Sequence, residues 1–375
     1  MFWGIITWFN AAVTLGGAIA MVRLYLTIRH YHHRKRYSSS SMLSDLPSVS
    51  VCIPARNERH AMTHCLEMVL ASTYPKMEVI VFDDSSTDNT SALIKSFAHE
   101  GVRFIEGDHL DTGWLGKNHA LDSLLREASG TYVLFLDVDT ELSPNTIGQL
   151  VAYAKSTDSS MISVLPQRSD IWRMSVLAAP LRYFWQLLLS SARHPITTSS
   201  AWMARRKTLL ADFGGLSPLK AAIEPEVLLA RYYAARNAYR FLISYELLGV
   251  TYQKKWSSQF ETSVRLRYPK LGFSLTKSIL FACLLLLLAA VPIVGLLHGD
   301  SLLISVGALM AMLGCYFMYL TVVVRGNGAF VAVWFMPIVL ATDAFITVTS
   351  AIKYLLGKVT WKGRPVTKLK RETLL

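Results

Sequence analysis

Two aspartates separated by one residue follow an apolar run at 134–139, where the sequence reads LFLDVD. Alternate residues of a strand share one face, so Asp137 and Asp139 point the same way if the strand runs straight through them. Two carboxylates this close repel each other unless a cation lies beside them. The spacing predicts a divalent-metal site at the carboxyl end of a strand, where open α/β sheets bind ligands. The alternative is that both aspartates are turn residues.

Two further apolar runs also end in polar residues. The run VIVF at 79–82 leads into Asp83 and Asp84, and the run VSVCI at 49–53 leads into PARNE at 54–58. The carboxyl ends of parallel strands meet at one edge of a sheet, so we expect these polar residues to lie near Asp137.

The elements that must position these residues alternate between strand and helix. Apolar runs predict strands at 49–53, 78–82 and 102–105 and a strand that ends at Asp137. Helical patterns lie between them at 58–72, 91–99 and 118–128. This alternation with short loops predicts an α/β fold built on a mostly parallel, doubly wound sheet.

The chain also contains apolar segments long enough to cross a bilayer, which takes about 20 residues. Residues 1–22, 278–297 and 301–324 contain no charged residue. We interpret the first segment as a transmembrane anchor covering 1–27, the alternative being a cleaved signal peptide. Transmembrane or interfacial helices are predicted at 276–352. Within them, Asp343 and Pro337 favour a re-entrant or interfacial element at 326–352 over a full crossing.

Basic residues set the predicted topology. The formal net charge is +12, and a basic run at 29–36 follows the anchor. The positive-inside tendency therefore places a cytoplasmic domain at 45–275, after a serine-rich linker, and keeps the basic tail at 353–375 inside. The positive charge suits anionic lipid head groups and phosphorylated substrates, whereas no nucleic-acid-binding motif accompanies it. The four cysteines lack C-x-x-C spacing, which indicates reduced thiols.

Taken together, the motifs resemble those of a known enzyme family. IPARNE at 53–58, DDSSTD at 83–88, GK at 116–117 and DVD at 137–139 occur in the order and spacing of family 2 glycosyltransferases. That family has the GT-A nucleotide-diphospho-sugar fold, and the resemblance covers about residues 50–240. The anchor, the loop GWLGK at 113–117 and the tail sequence WKGR at 361–364 are similar to bacterial membrane-anchored carotenoid glycosyltransferases of the diaponeurosporenoate type. Hopanoid and other membrane-lipid glycosyltransferases are similar as well.

The resemblance implies a role for most of the polar strand ends. Asp139 would coordinate Mg²⁺ or Mn²⁺, and Asp137 would bind both the ribose and the metal. Asp84 would contact the uracil of the nucleotide-diphospho-sugar donor, and Lys117 its diphosphate. The remaining predicted donor contacts are Pro54, Arg56 and Glu58.

Two nearby residues have alternative roles. Asp88 suits a helix cap as well as a ligand contact. Trp114 either contacts the acceptor or anchors its own loop.

The position of the catalytic base departs from the family pattern. Where the family carries Glu-Asp and uses the aspartate as base, this chain reads Glu224-Pro225-Glu226. Proline cannot accept a proton, so the base is Glu224, Glu226 or absent, and Glu224 at the mouth of a helix is our first choice. The processive-synthase signature Q-x-x-R-W is also imperfect, since YQKKW at 252–256 carries Lys255 where arginine belongs. It retains Trp256, which we assign to acceptor binding.

The sequence therefore predicts an inverting glycosyltransferase of the plasma membrane that transfers glucose from UDP-glucose to a lipid-soluble acceptor. A carotenoid acid as acceptor would give a glycosyl ester. The aromatic segment 172–191 is either an interfacial helix that guides this acceptor or a core helix of the domain. The rival hypotheses are a hopanoid or other membrane-lipid glycosyltransferase, a polysaccharide synthase coupled to export, and a non-catalytic membrane scaffold.

Overall fold

The computed structural model describes residues 2–31, 46–108, 110–170, 173, 181–298 and 302–366. The serine-rich linker, most of the basic run at 29–36, the end of the basic tail and most of 171–180 lie outside the described residues. The chain divides into two compact units. We call Tyr31–Gln167 with Ser191–Gln253 the α/β unit, and Met1–His30 with Arg168–Ser190 and Lys254–Lys368 the membrane-helix unit.

The strands and helices are numbered in chain order. The strands are β1 Val49–Ala55, β2 Met77–Asp83, β3 Val102–Glu106, β4 Tyr132–Leu136, β5 Thr140–Leu142, β6 Met161–Leu165, β7 Gln167–Arg168, β8 Ala201–Arg205, β9 Tyr239–Ile243, β10 Val250–Tyr252, β11 Thr360–Trp361 and β12 Arg364–Pro365. The helices are α1 Phe2–Tyr31, α2 Met62–Leu70, α3 Thr90–Ser96, α4 Gly116–Glu127, α5 Thr146–Ser156, α6 Phe184–Leu189, α7 Arg206–Phe213, α8 Pro225–Ala234, α9 Trp256–Lys270, α10 Leu275–His298, α11 Leu302–Val323, α12 Gly328–Ala332 and α13 Met336–Leu355.

A seven-stranded sheet in the order β3-β2-β1-β4-β8-β6-β9 forms the centre of the α/β unit. The strands β1, β2 and β4 read as apolar runs because helices cover both faces of a parallel sheet. The mostly parallel sheet is confirmed, with one exception: β8 runs antiparallel to both β4 and β6. The chain reverses its direction of travel across the sheet between β1 and β4, and such a switch point opens a crevice at the carboxyl ends of the strands.

The predicted helices are present but differ at their ends. α2 begins at Met62 and not at 58, because Asn57 adopts the left-handed conformation at φ 51° and residues before 62 form a turn. α4 begins at Gly116, two residues before its predicted start. β4 ends at Leu136, so the strand does not run through Asp137 and Asp139 as the alternation argument assumed.

In the part of the chain that the structure describes, four helical segments have the length and composition to cross a membrane: Trp3–Tyr31, Leu275–His298, Leu302–Val323 and Gly328–Leu355. The first is longer than the predicted anchor at 1–27. It packs closely on α11, since a Cβ added at Gly17 would lie 2.7 Å from the Cβ of Ala311. Nearby, the amide of Asn10 donates a hydrogen bond of 2.9 Å to the hydroxyl of Ser305. Small residues and buried polar pairs of this kind hold membrane helices together.

The fourth apolar segment is interrupted by a 3₁₀ turn at Val333–Phe335. Pro337 lies in the first turn of α13, where a missing N–H is tolerated, so it marks a helix start and not a kink in the middle of a helix. Asp343 is fully buried and forms an ion pair with Arg267 of α9. We predicted two further segments, 168–190 and 254–275, within the domain 45–275. Both belong to the same compact unit as these apolar helices. The re-entrant interpretation of 326–352 stays a prediction.

The ion pair between Arg267 and Asp343 provides a test of the membrane-helix unit. Removing one partner of a buried pair costs about 3–5 kcal/mol, because the other charge is left uncompensated. We expect Arg267→Leu to lower the thermal unfolding midpoint in detergent markedly, and the double variant Arg267→Leu/Asp343→Leu to recover most of the loss. Lys277→Leu, at an exposed position of α10, is the control. An unchanged midpoint in Arg267→Leu would contradict the role of the pair.

Candidate active site

The carboxyl ends of β1 and β2 bring Arg56 and Asp84 together. The register pairs Ala55 with Asp83, and the N–H of Asp84 donates a hydrogen bond of 2.8 Å to the carbonyl of Ala55. The Arg56 guanidinium donates to the carbonyls of Asp84 and Ser85 and lies 4.0 Å from the Asp84 carboxylate. Asp84 is 1% exposed. A carboxylate buried this deeply needs a cationic neighbour, and Arg56 is that neighbour.

The other two acids of the DDSSTD sequence have structural roles. Asp83 accepts hydrogen bonds from the hydroxyls of Ser86 and Ser91. Asp88 accepts from the N–H groups of Thr90, at the start of α3, and of Arg59. Desolvation alone would raise the pKa of Asp88, but the hydrogen bonds from Thr90 and Arg59 outweigh it and the pKa is lowered. Of its two predicted roles, these contacts favour the helix cap.

Pro54 and Glu58 flank Arg56. Pro54 pairs with Phe82 of β2 but lies beyond Cys52, the last residue of β1 that pairs with β4. The N–H of Glu58 donates a hydrogen bond of 2.8 Å to the hydroxyl of Thr90, and its carbonyl begins the turn that leads into α2. Both side chains are half-buried at the edge of the crevice.

Asp137 and Asp139 lie on a tight turn after β4 and are half-buried. The turn is closed by a hydrogen bond of 2.9 Å from the N–H of Thr140 to the carbonyl of Asp137. The N–H of Gln253 donates to the carbonyl of Asp139 at 3.2 Å. The ammonium group of Lys117 lies 2.6 Å from the Asp137 carboxylate. This ion pair reduces the repulsion between the two neighbouring acids.

The acidic character of this edge extends into the protein. Burial, together with the negative charges of Asp139, Glu58 and Asp137, raises the pKa of the Cys65 thiol to about 12. The thiol is therefore protonated at neutral pH, in agreement with the predicted reduced, structural cysteines.

The GWLGK loop leads into α4 and is held from two sides. Gly113 adopts φ 87°, a conformation that favours glycine. The ring of Trp114 packs edge to face on His119, with 5.7 Å between ring centroids, and His119 makes the same contact with Phe82. The N–H of Leu115 donates to the carbonyl of Lys220 at 2.9 Å. One side of Trp114 is thus an anchor for its own loop.

Asn118 is a positioning residue that the sequence analysis missed. Its buried side-chain amide donates to the carbonyls of Leu219, Lys220 and Ala222 at 2.8–3.1 Å. These bonds tie the start of α4 to the segment that leads into Glu224. The only feature of the sequence that could have pointed to Asn118 is its position directly after Gly116 and Lys117, at the start of a helix.

Gly214 and Gly215 precede the candidate base in the sequence, and at Gly215 the backbone comes close to side chains of α4. Gly215 adopts φ 116°, and a Cβ there would lie 2.6 Å from the carboxylate of Asp122. That carboxylate accepts a hydrogen bond of 2.6 Å from the N–H of Leu216. Only glycine combines this conformation with this contact.

The predicted helix start at Pro225 is confirmed. Glu224 precedes α8 and is half-buried, whereas Glu226 in the first turn is 3% exposed. Burial raises the pKa of Tyr239, and the charge of Glu226 adds to this effect, so Glu226 lies near the buried end of β9. The greater exposure of Glu224 makes it the more accessible of the two carboxylates.

The structure brings most of the predicted site residues to one unit but not all. Trp256 is the first residue of α9 and belongs to the membrane-helix unit, where it is 40% exposed. Its ring lies 6.3 Å from that of Phe260, which in turn lies 6.1 Å from Phe345 of α13. Its assignment to the acceptor stays a prediction.

The residues after β4 fit a metal ion that is shared with a substrate. Within the described ranges, no three histidine, cysteine, aspartate or glutamate side chains are grouped closely enough to hold a metal ion alone. Mg²⁺ is usually bound through one or two carboxylates and the phosphates of the substrate. The half-exposed pair of Asp137 and Asp139 matches that requirement.

Comparison with known proteins agrees with this geometry. Residues 50–209 match the family model described as glycosyl transferase family 2. This segment is a family 2 glycosyltransferase domain. It contains the predicted donor and metal residues, from Pro54 to Asp139.

The chain is similar over part of its length to curated relatives. It is 28% identical over 161 residues to a 4,4'-diaponeurosporenoate glycosyltransferase of a bovine strain of Staphylococcus aureus, covering 42% of this chain and 41% of the relative. For the same enzyme of a second strain, the identity is 28% over 138 residues, covering 36% of each chain. The matches thus span about two fifths or less of these relatives.

A solved structure shares the fold. The mannosyltransferase of Pyrobaculum calidifontis in complex with GDP-Man and Mn²⁺ matches with a TM-score of 0.57 and 19% identity. The match covers 94% of this chain and 99% of that one. The chain therefore has the GT-A fold, together with helices that are long and apolar enough to cross a membrane.

The three hydrogen bonds of Asn118 lead to a prediction for the glycosyltransferase domain. Asn118→Leu keeps a similar volume but removes the amide donor of all three carbonyls. Leu219 and Lys220 keep backbone donors, from Ala222 and Leu115, so the main loss is at the carbonyl of Ala222, at a cost of about 1–3 kcal/mol if it stays buried. We expect lower thermal stability and faster proteolysis between 215 and 225. Asn89→Leu, at an exposed position before α3, is the matched control. Equal stability of the two variants would refute the positioning role.

Proposed function

We propose that the protein is an inverting glycosyltransferase that transfers a sugar from a nucleotide-diphospho-sugar, UDP-glucose, to a lipid-soluble acceptor at the cytoplasmic face of the plasma membrane. The observation that carries the proposal is the turn with Asp137 and Asp139, joined to Lys117 at the switch point of a family 2 domain. Fixed charges of both signs at this edge suit a ligand that carries both phosphate and polar sugar groups.

The donor would be bound by the polar ends of β1, β2 and β4. Arg56 holds Asp84 in place, so that the Asp84 carboxylate can accept a hydrogen bond from the N–H of a uracil. Lys117, at the amino end of α4, can turn from Asp137 to the diphosphate, where the helix amides also favour negative charge. A bound Mg²⁺ or Mn²⁺ would neutralise charge on the departing diphosphate. Glu58 and Pro54 complete the rim for the base and ribose.

The proposed acceptor is supported by the curated relatives and by the residue at the position of the catalytic base. The curated relatives are named for a carotenoid acid, and an acid is ionised at neutral pH, since its reference pKa is roughly 4. A carboxylate can attack the anomeric carbon without a base, which suits Pro225 at the position where the family carries aspartate. The alternative is a hydroxyl acceptor, for which Glu224 at the mouth of α8 would take the proton.

Asp139→Asn tests the proposed chemistry. The change removes a metal-ligating charge from a half-buried position on a turn and no apolar contact from the core, so we expect sugar transfer to fall below detection with unchanged thermal stability. Transfer is followed by mass spectrometry of lipids after incubation with UDP-glucose. Asp212→Asn, on the exposed side of α7, should retain full activity. Near-normal transfer by Asp139→Asn, or by wild type in excess chelator, would count against the metal role.

The two acceptor classes differ in the stability of the product. A carboxylate acceptor gives a glycosyl ester that mild alkali cleaves, and only modest losses of activity are expected in Glu224→Gln and Glu226→Gln. A hydroxyl acceptor gives an alkali-stable glycoside and a loss of about 100-fold or more in the variant that lacks the base. We expect the ester. An alkali-stable product together with an inactive Glu224→Gln would establish the opposite.

A further inference from the structure

A cavity of about 290 Å³ lies inside the membrane-helix unit. Its wall is formed by α1, α6, α10, α11 and α13, all of which belong to that one unit. Apolar side chains line it almost completely, and three of the lining side chains are aromatic: Phe184 and Trp185 of α6 and Tyr316 of α11. Such a wall offers aliphatic and aromatic surface and almost no hydrogen-bonding groups, so it suits a hydrocarbon ligand.

Two adjacent glycines of α1 have opposite surroundings at this cavity. A Cβ at Gly17 would clash with Ala311, so Gly17 allows α1 and α11 to pack closely. A Cβ at Gly16 would meet nothing within 4 Å, and Gly16 is exposed. Gly16 therefore leaves open space at the rim of the cavity without being needed for the helix contact.

The cavity lies deep along the helices. Leu284 and Leu288 of its wall follow Leu275, the first residue of α10, by nine and thirteen positions. At 1.5 Å per residue these positions lie about 14 and 20 Å along the helix axis. A bilayer core is about 30 Å thick, so in a helix that spans it this wall lies close to the middle of the hydrocarbon. A ligand that reaches this depth from the membrane surface has a long apolar chain.

We infer that the cavity binds the hydrocarbon chain of the acceptor, and that this chain is a conjugated polyene. The inference rests on the proposed function for the identity of the acceptor. A flat, rigid π system gains contact with the aromatic side chains of Phe184, Trp185 and Tyr316 and loses little conformational freedom on binding. A saturated phospholipid chain would fill the same volume, but it gains less from aromatic walls and loses more entropy. The cavity thus selects acceptors by their chain, away from the reacting carboxylate.

The binding step is measured without catalysis by using cis-parinaric acid, a fluorescent conjugated tetraene acid. The full-length protein is placed in phosphatidylcholine nanodiscs, and energy transfer from tryptophan to the probe reports binding. Gly16→Phe places a ring in the open space, and we expect it to raise the dissociation constant about tenfold or more. Gly4→Phe is the matched control, because a Cβ at Gly4 also meets nothing within 4 Å and Gly4 does not line the cavity.

Three further measurements decide between the outcomes. Retinoic acid should displace the probe at a concentration at least tenfold lower than stearic acid does, and equal displacement would overturn the selection of a polyene. Equal probe affinity of wild type and Gly16→Phe would overturn the site itself. Asp139→Asn should bind the probe like wild type. Suppose that wild type shows no transferase activity but binds the probe in a way that depends on Gly16. This result would support the cavity as a binding site and reject the proposed function.

Discussion

The candidate active site depends on where the pairing between β1 and β4 stops. β1 pairs with β2 along its full length, to Ala55, but with β4 only as far as Cys52. Beyond that residue the two strands separate, and Pro54 lies where no N–H is required on the β4 side. The separation leaves room for Arg56, Asp84 and Asp137 at one edge of the sheet. Each of these residues directly follows the end of its strand. The hydrogen-bonded pairing of the strands therefore fixes the distances between them.

This arrangement concentrates negative charge and then compensates it locally. Asp84 is held by Arg56 and Asp137 by Lys117, and each cation comes from a different element than its partner. The cations also lie at places where a ligand with phosphate groups can compete for them, at a strand end and at the amino end of α4. The site is therefore formed by ion pairs whose cations can bind a ligand instead, unlike the pair in the membrane-helix unit, where Arg267 holds the fully buried Asp343.

Local pattern was sufficient to predict β1 to β4, the helix at Pro225 and the acidic strand ends. It failed where the deciding contact is distant in sequence. The strand β8 is short and apolar like the parallel strands of the sheet. Its antiparallel direction therefore follows only from the connections around it. The three bonds of Asn118 join residues about one hundred positions apart, and an asparagine after a helix start has several ordinary roles. The turn after β4 was predicted only as an alternative, because alternation alone does not report where a strand ends.

Pro225 has a consequence for how easily this active site can change. It is the first residue of α8, a position whose N–H has no partner within the helix, so proline and aspartate are interchangeable there without loss of a backbone bond. The ring also disfavours helical backbone at Glu224, which has a φ of −134° and a ψ of 80°. A single substitution at 225 would thus install a carboxylate at the helix mouth while the surrounding loop, fixed by Asn118 and Asp122, stays in place. If the proposed acceptor chemistry is right, a change at this position would alter it while the backbone bonds of the helix start stay intact, and the structural cost would lie in the charge of a buried side chain.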